Sequence, residues 1–190
     1  EQGRWPYTGC ADDRGGGRSE NFPVPAGFND TELEFVLEHA VLPRAARLRP
    51  EAVVVTCGTD ALADDPLSRL ALSNGALWAA VEALVATAPA AVVLGGGGYH
   101  PWALARCWTG LWARLSGRSI PETLSEPACA ILRGLRSDLV EDDEVRPECY
   151  TTLRDSPRTG HVRDESRGLA QLARRRLIQT SVGEPLHELA

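Results

Sequence analysis

Two short apolar runs that each end in glycine, "EAVVVTCG" at 51–58 and "AAVVLGGGG" at 90–98, constrain this chain more than any other feature. Their continuous β-branched residues lack the polar alternation of a half-exposed strand, which is the pattern of strands buried on both faces of a parallel sheet. Between them, "SNGALWAAVEALVATAP" places Leu77, Val81, Leu84 and Val85 on one side of a helix. Parallel strands need a crossover connection, and strand, helix, strand at this spacing predicts a βαβ unit and an α/β fold class.

The flanking segments supply further elements. After the second glycine run, Pro101 sits where a first-turn proline is tolerated, and Leu104, Trp108, Leu111 and Leu115 predict the buried stripe of another helix. Upstream, Thr31 and Glu34 have capping-box spacing, and Leu33, Val36, Leu37, Ala40 and Val41 recur at helical spacing to about Pro43, beyond which the helix can resume. The first thirty residues, rich in Gly, Pro and Asp, read as a long loop followed by a short strand near Asn21 to Val24. Residues 136–190 are more polar, carry the acidic run "EDDE" and a predicted helix from Glu165 to Ile178, and read as a peripheral tail behind a unit spanning 1–135.

Composition narrows the function classes. The 43% hydrophobic content is ample for a core, and 190 residues suit one domain or a piece of a larger one. No apolar stretch reaches the roughly eighteen residues of a membrane span, and the start has no signal-peptide pattern, so a cytoplasmic location is expected. The net charge is -6 and the dense basic run is confined to Arg174–Arg176, which argues against a nucleic-acid partner. Five cysteines, an odd number without a C-x-x-C pair, read as reduced and mostly buried thiols. The chain has no methionine, even at position 1, so residue 1 is expected to be a cut inside a longer reading frame.

Ligands of open parallel sheets bind beyond the carboxyl ends of the strands, where "CGTDALADDP" and "GGGGYHPW" both fall. As a phosphate cradle the glycine run lacks the Lys-Ser/Thr of a P-loop and the G-x-G-x-x-G spacing of a dinucleotide site. Tyr99 can instead donate its phenol to an oxyanion on a bound substrate, or it can simply cover the helix end. Asp60 is either a loop acid or cap, or one ligand of a metal, and one ligand does not make a site. His39, His100, His161 and His187 show no ligand spacing and read as structural.

"RWPYTG", "VVVTCGTDALADDPLSRLALS" and "VLGGGGYHPWALARCWTGLW", in that order, resemble the C-terminal half of the zinc-dependent histone deacetylase family, and within it the bacterial acetoin-utilisation (AcuC-type) proteins. The resemblance covers about residues 1–135; "YTTLRDSPRTGHVR" in the tail also looks AcuC-like. It implies an arginase/deacetylase fold, a three-layer α/β/α sandwich around a mostly parallel eight-stranded sheet, present here as an N-terminally truncated part. It further implies hydrolysis of acetyl-lysine amides with zinc, or another divalent metal, as cofactor. Residue by residue, Asp60 matches a zinc ligand and Tyr99 the catalytic tyrosine that hydrogen-bonds the substrate carbonyl. Trp5 matches an aromatic wall of the acyl-lysine tunnel, Leu67 its lining, and Gly97 and Gly98 the backbone clearance beside the substrate.

The family's Asp-x-His zinc ligands and paired catalytic histidines have no counterpart in these residues. The chain alone is therefore expected neither to bind zinc tightly nor to deacetylate. The implied partner is an acetylated protein, with acetyl-CoA synthetase in acetoin catabolism the candidate. The alternatives are an acetylpolyamine amidohydrolase and a non-catalytic binding remnant.

Overall fold

The computed structural model describes residues 1–4 and 6–183. The two glycine-ended runs form β1 (Ala52–Cys57) and β2 (Ala90–Gly95), paired in parallel with Ala52 opposite Ala90 and Cys57 opposite Gly95. Three helices precede or join them: α1 (Asp30–Val36), α2 (Leu42–Leu48) and the crossover α3 (Asn74–Val85). Then follow α4 (Pro101–Leu115), α5 (Glu126–Arg133) and α6 (Asp164–Gly183). The predicted βαβ unit is present.

Helices α3 and α4 cover one face of the sheet, enclosing Val55, Cys57, Trp78, Val81, Cys107 and Leu111. Trp78 is fully buried and donates its indole N–H to the Cys107 carbonyl (2.8 Å). Gly110 makes room for it, since a Cβ there would lie 2.8 Å from indole Cε2 and closer still to the ring's far edge. The opposite face is bare: among the described residues nothing covers it, and Val54, Val92 and Leu94 stand 63%, 52% and 47% exposed. The register places Val54 beside Val92 and Thr56 beside Leu94, so these side chains form one continuous apolar surface.

The predicted stripe of α4 is rotated. Leu111 is buried and Trp108 half-buried, but Leu104 and Leu115 are exposed. The helix instead buries Trp102, Ala103, Arg106, Cys107, Gly110 and Leu111, because it packs against α3 on one side and the C-terminal segment on the other. No strand forms at Asn21 to Val24. Pro23 and Pro25 remove the donors a ladder would need, leaving Val24 to accept one bond from Gln2 N–H.

The capping box of α1 lies two residues earlier than predicted. Asn29 is the cap, with its side chain accepting from Glu32 N–H and the Glu32 carboxylate accepting from Asn29 N–H, while Thr31 lies inside the helix. Between α1 and α2, Leu37–Val41 forms a π-helical turn in which Leu42 N–H bonds to Leu37. That wider turn lets the helix pass Pro43, which has no N–H to give, and continue to Leu48.

Residues 136–183 are polar but not peripheral. Val140, Val145 and Cys149 bury against Trp102 and Leu132, and α6 packs Ala170 and Ala173 against Ala40. Two buried ionic anchors fasten the segment. Arg106, fully buried, pairs with Asp155 (2.9 Å) and donates to the carbonyls of Thr152 and Arg154. Glu32, also fully buried, accepts from Arg163 (2.6 and 2.9 Å) and from Ser166 Oγ (2.6 Å). Burial alone would raise the pKa of Glu32, but the bonds from Arg163, Ser166 and the Asn29 backbone outweigh it and hold the carboxyl below its ordinary value. The motif "YTTLRDSPRTG" thus serves as a structural clasp: its Asp155 is desolvated, and Arg106 of α4 is the partner that makes that burial tolerable.

Candidate active site

Parallel pairing sends the chain out of β1 and β2 at the same end, so the loops that follow them meet. Gly58 leads into a 3-10 turn, Thr59–Ala61, whose first N–H binds the Gly97 carbonyl (2.7 Å). The glycines allow this approach. A Cβ on Gly96 would lie 2.8 Å from the Gly58 backbone, and one on Gly97 would lie 2.7 Å from Asp60 Cγ. Gly98 has φ +152, and a Cβ there would press on Thr59 and Leu104. The two loops are therefore stacked backbone to backbone, and Asp60 is packed against the glycine run.

Beside that stack is a cavity of about 240 Å³ lined by Asp60, Leu67 and Tyr99, with Glu1, Arg4 and Leu70 among the others. Two loops more than thirty residues apart, one carrying Asp60 and Leu67 and the other Tyr99, share one site. Tyr99 is 43% and Leu67 50% exposed, so both side chains are available to a ligand. Asp60 is half-buried; burial, with the negative charge of Asp65 adding to it, raises its carboxyl above the ordinary value. Trp5 lies outside the described residues, as does His187.

A raised carboxylate pKa marks a charge that would gain from a nearby cation, and Gly97 provides the cradle in which this carboxylate sits. Asp60 therefore fits the role of one metal donor. Among the described residues no three His, Cys, Asp or Glu side chains converge to hold a metal ion. The other histidines have structural duties. His100 is buried, its pKa lowered mainly by burial, and its Nδ1 accepts the Ala103 N–H as the N-cap of α4. His39 stacks on Phe35 with its Nδ1 2.9 Å from that residue's carbonyl, and the His161 carbonyl accepts from Asn29.

Sequence reading missed two residues of the site. Asp65, 5% exposed, accepts the Tyr99 N–H (2.7 Å) on one oxygen and the Leu67 N–H (3.0 Å) on the other. The second bond is an Asx-turn, for which the sequence Asp65-Pro66-Leu67 is a readable signal; the first spans 34 residues and has none. Arg4 donates to the Leu67 carbonyl (2.8 Å), tying the N-terminal loop to the cavity rim.

The chain is similar to known proteins in both sequence and fold. A family model described as the histone deacetylase domain matches residues 1–115. Histone deacetylase 8 of Xenopus tropicalis is 29% identical over 170 residues, covering 87% of this chain and 45% of that protein. Human histone deacetylase 1 is 32% identical over 124 residues, covering 63% of this chain and 26% of that protein. Among solved structures, a histone deacetylase homologue from Aquifex aeolicus superposes with a TM-score of 0.81 at 37% identity, covering 90% of this chain and 47% of that one. An HDAC homologue complexed with SAHA gives 0.79 at the same identity. The chain spans about half the length of these relatives or less. The shared fold is the arginase/deacetylase α/β fold, and the chain belongs to the histone deacetylase family.

Proposed function

We propose that this chain supplies the Asp60 and Tyr99 side of a metal-dependent deacetylase site that hydrolyses acetyl-lysine amides. The observation that carries the reading is the convergence of Asp60, Leu67 and Tyr99 on one cavity at the carboxyl ends of parallel strands. A divalent ion, zinc by preference, held by Asp60 and by donors outside the described residues would polarise the amide carbonyl and activate water. Tyr99 donates its phenol to the carbonyl oxygen as that oxygen gains charge, an interaction strongest in the transition state. Leu67 offers an apolar wall to the aliphatic part of the acyl-lysine, with Trp5 as its aromatic counterpart. Gly97 and Gly98 leave the backbone bare beside it. Within the family we assign the protein to the AcuC type, a cytoplasmic enzyme of acetoin catabolism whose first candidate substrate is acetylated acetyl-CoA synthetase.

The test uses the full-length protein with acetyl-lysine peptides and acetylated polyamines as competing substrates, and metal content measured in parallel. Peptide turnover is expected to exceed polyamine turnover. Asp60→Ala should lose the metal, while Tyr99→Phe should keep metal and substrate binding and lose on the order of 10²- to 10³-fold in kcat. Unchanged metal content in Asp60→Ala, or unchanged turnover in Tyr99→Phe, refutes the assigned roles. The 190-residue chain by itself should show no turnover; zinc-dependent hydrolysis by it would overturn the view that essential groups lie elsewhere.

A further inference from the structure

The excursion between β1 and α3 is closed at its base by a bridge between Leu62 and Leu72, both buried, and by Ala63 N–H bonding to the Leu72 carbonyl. Within it Asp65 is nearly inaccessible, and its own N–H returns to the Leu62 carbonyl (3.1 Å). Its two carboxylate oxygens are divided between two loops. One takes the amide of Tyr99, at the end of the glycine run; the other takes the amide of Leu67, at the cavity rim. Its neighbour Asp64 turns the other way, to Arg146 and Arg158 of the C-terminal segment. Adjacent acids thus have different duties, one fastening the loop to the body of the protein and one facing the site.

Tyr99 follows four glycines, a stretch with no side chains to hold it. Gly97 O is tied to Thr59 N–H, and the next tether along the chain is Tyr99 N–H on Asp65. A phenol that must meet an oxygen within about 2.7–3.1 Å tolerates little drift of its backbone.

We infer that Asp65 is a positioning residue of the deacetylase site, one carboxylate that sets both the oxyanion donor Tyr99 and the tunnel wall Leu67 in register. This rests on the catalytic role proposed above for Tyr99. An ionised carboxylate accepts two backbone amides at once, whereas asparagine keeps a single acceptor oxygen and presents its carboxamide NH2, a donor, to the second N–H. Loss of either tether acts through a different residue, so the consequences separate. Release of Tyr99 lowers kcat; release of Leu67 loosens substrate binding and raises KM.

The experiment is a double-mutant cycle in the full-length, metal-loaded enzyme with an acetyl-lysine peptide. D65N alone should lower kcat by about tenfold to a hundredfold, the scale expected when a reacting group is displaced by roughly 1 Å. In the Tyr99→Phe background the same substitution should leave kcat within about twofold, because the group it positions is gone, while the increase in KM persists. Metal content should stay at the wild-type level. An equal fall in kcat in both backgrounds, or a kcat per metal-loaded enzyme unchanged by D65N while only the melting temperature drops, overturns the inference. If D65N does not fold, Asp65→Glu, which keeps both oxygens on a longer arm, enters the same cycle with the same expected outcomes. Failure of the underlying reading looks different: Tyr99→Phe alone would then retain full turnover.

Discussion

Substituting Gly97 by alanine tests the link between the glycine run and Asp60, the proposed metal donor. A Cβ at Gly97 would lie 2.7 Å from Asp60 Cγ and 3.3 Å from Oδ1, and nearer still to Oδ2. Ordinary van der Waals contact begins near 3.4 Å, so the carboxyl carbon must retreat by at least 3.4 − 2.7 = 0.7 Å. Asp60 belongs to the 3-10 turn Thr59–Ala61, whose first N–H is bound to the Gly97 carbonyl, so the added methyl would push the carboxylate out of its place against the glycine run. Metal–carboxylate bonds of about 2.0–2.2 Å tolerate only some ±0.2 Å, so a 0.7 Å retreat exceeds that tolerance. Metal affinity should therefore fall, by the ten- to hundredfold that follows loss of a support to a ligand. The assay is a competition titration against a chromophoric chelator on the full-length protein, with turnover on acetyl-lysine peptide measured alongside. Gly75→Ala is the control: its Cβ would meet only Ser73 Oγ at 3.7 Å within α3, so affinity should hold and helix stability rise slightly. Wild-type metal affinity in Gly97→Ala would refute the reasoning, because it would mean that Asp60 does not hold the metal from its place beside the glycine run.

Other expectations concern the supporting structure. Because Glu32 has its carboxyl held below its ordinary value in the fold, its contribution is complete above the unfolded pKa of about 4.3 and is lost as pH falls through the folded value. Glu32→Gln should thus lower stability by about 2–3 kcal/mol at neutral pH, and denaturant melts should show a shallower acid dependence below about pH 4 than in the wild type. A parallel acid dependence in the two proteins would argue against it. Gly110→Ala drives a methyl into the Trp78 indole and should cost about 1–3 kcal/mol by overpacking, read as a lower melting temperature with a perturbed tryptophan spectrum. Cys10 is exposed whereas Cys57, Cys107, Cys129 and Cys149 are buried, and burial pushes Cys57 to about 11 and Cys107 to about 12. Near pH 8 a thiol reagent should therefore label Cys10 rapidly and the other four only on unfolding; prompt reaction of a buried cysteine would contradict the packing.

The parallel pair β1 and β2, the crossover α3 and the loops at their carboxyl ends were legible because each depends on local pattern: apolar runs, helical spacing, and glycines where backbones must pass. The short strand at Asn21 to Val24 and the cap at Thr31 were misread for local reasons too. Two prolines outweighed the apolar residues, and an equally spaced pair, Asn29 and Glu32, took the cap. What could not be read was partnership at long range. Arg106 with Asp155, Glu32 with Arg163, and Asp65 with Tyr99 are polar pairs whose members lie tens of residues apart. Nothing in a linear pattern separates an acid that will be buried against a guanidinium from one that will face water.

The same division runs through the site. Side-chain chemistry alone left Asp60 and Tyr99 with two readings each, and it was the resemblance of the surrounding motifs that singled out Asp60, Leu67 and Tyr99 as candidate site residues. Only the tertiary structure decided that they face one cavity, that Asp60 is half-desolvated against Gly97, and that Asp65 holds two of the site's loops. Those are properties of distance and burial, which exist only once β1 and β2 run parallel and deliver their loops to the same end of the sheet.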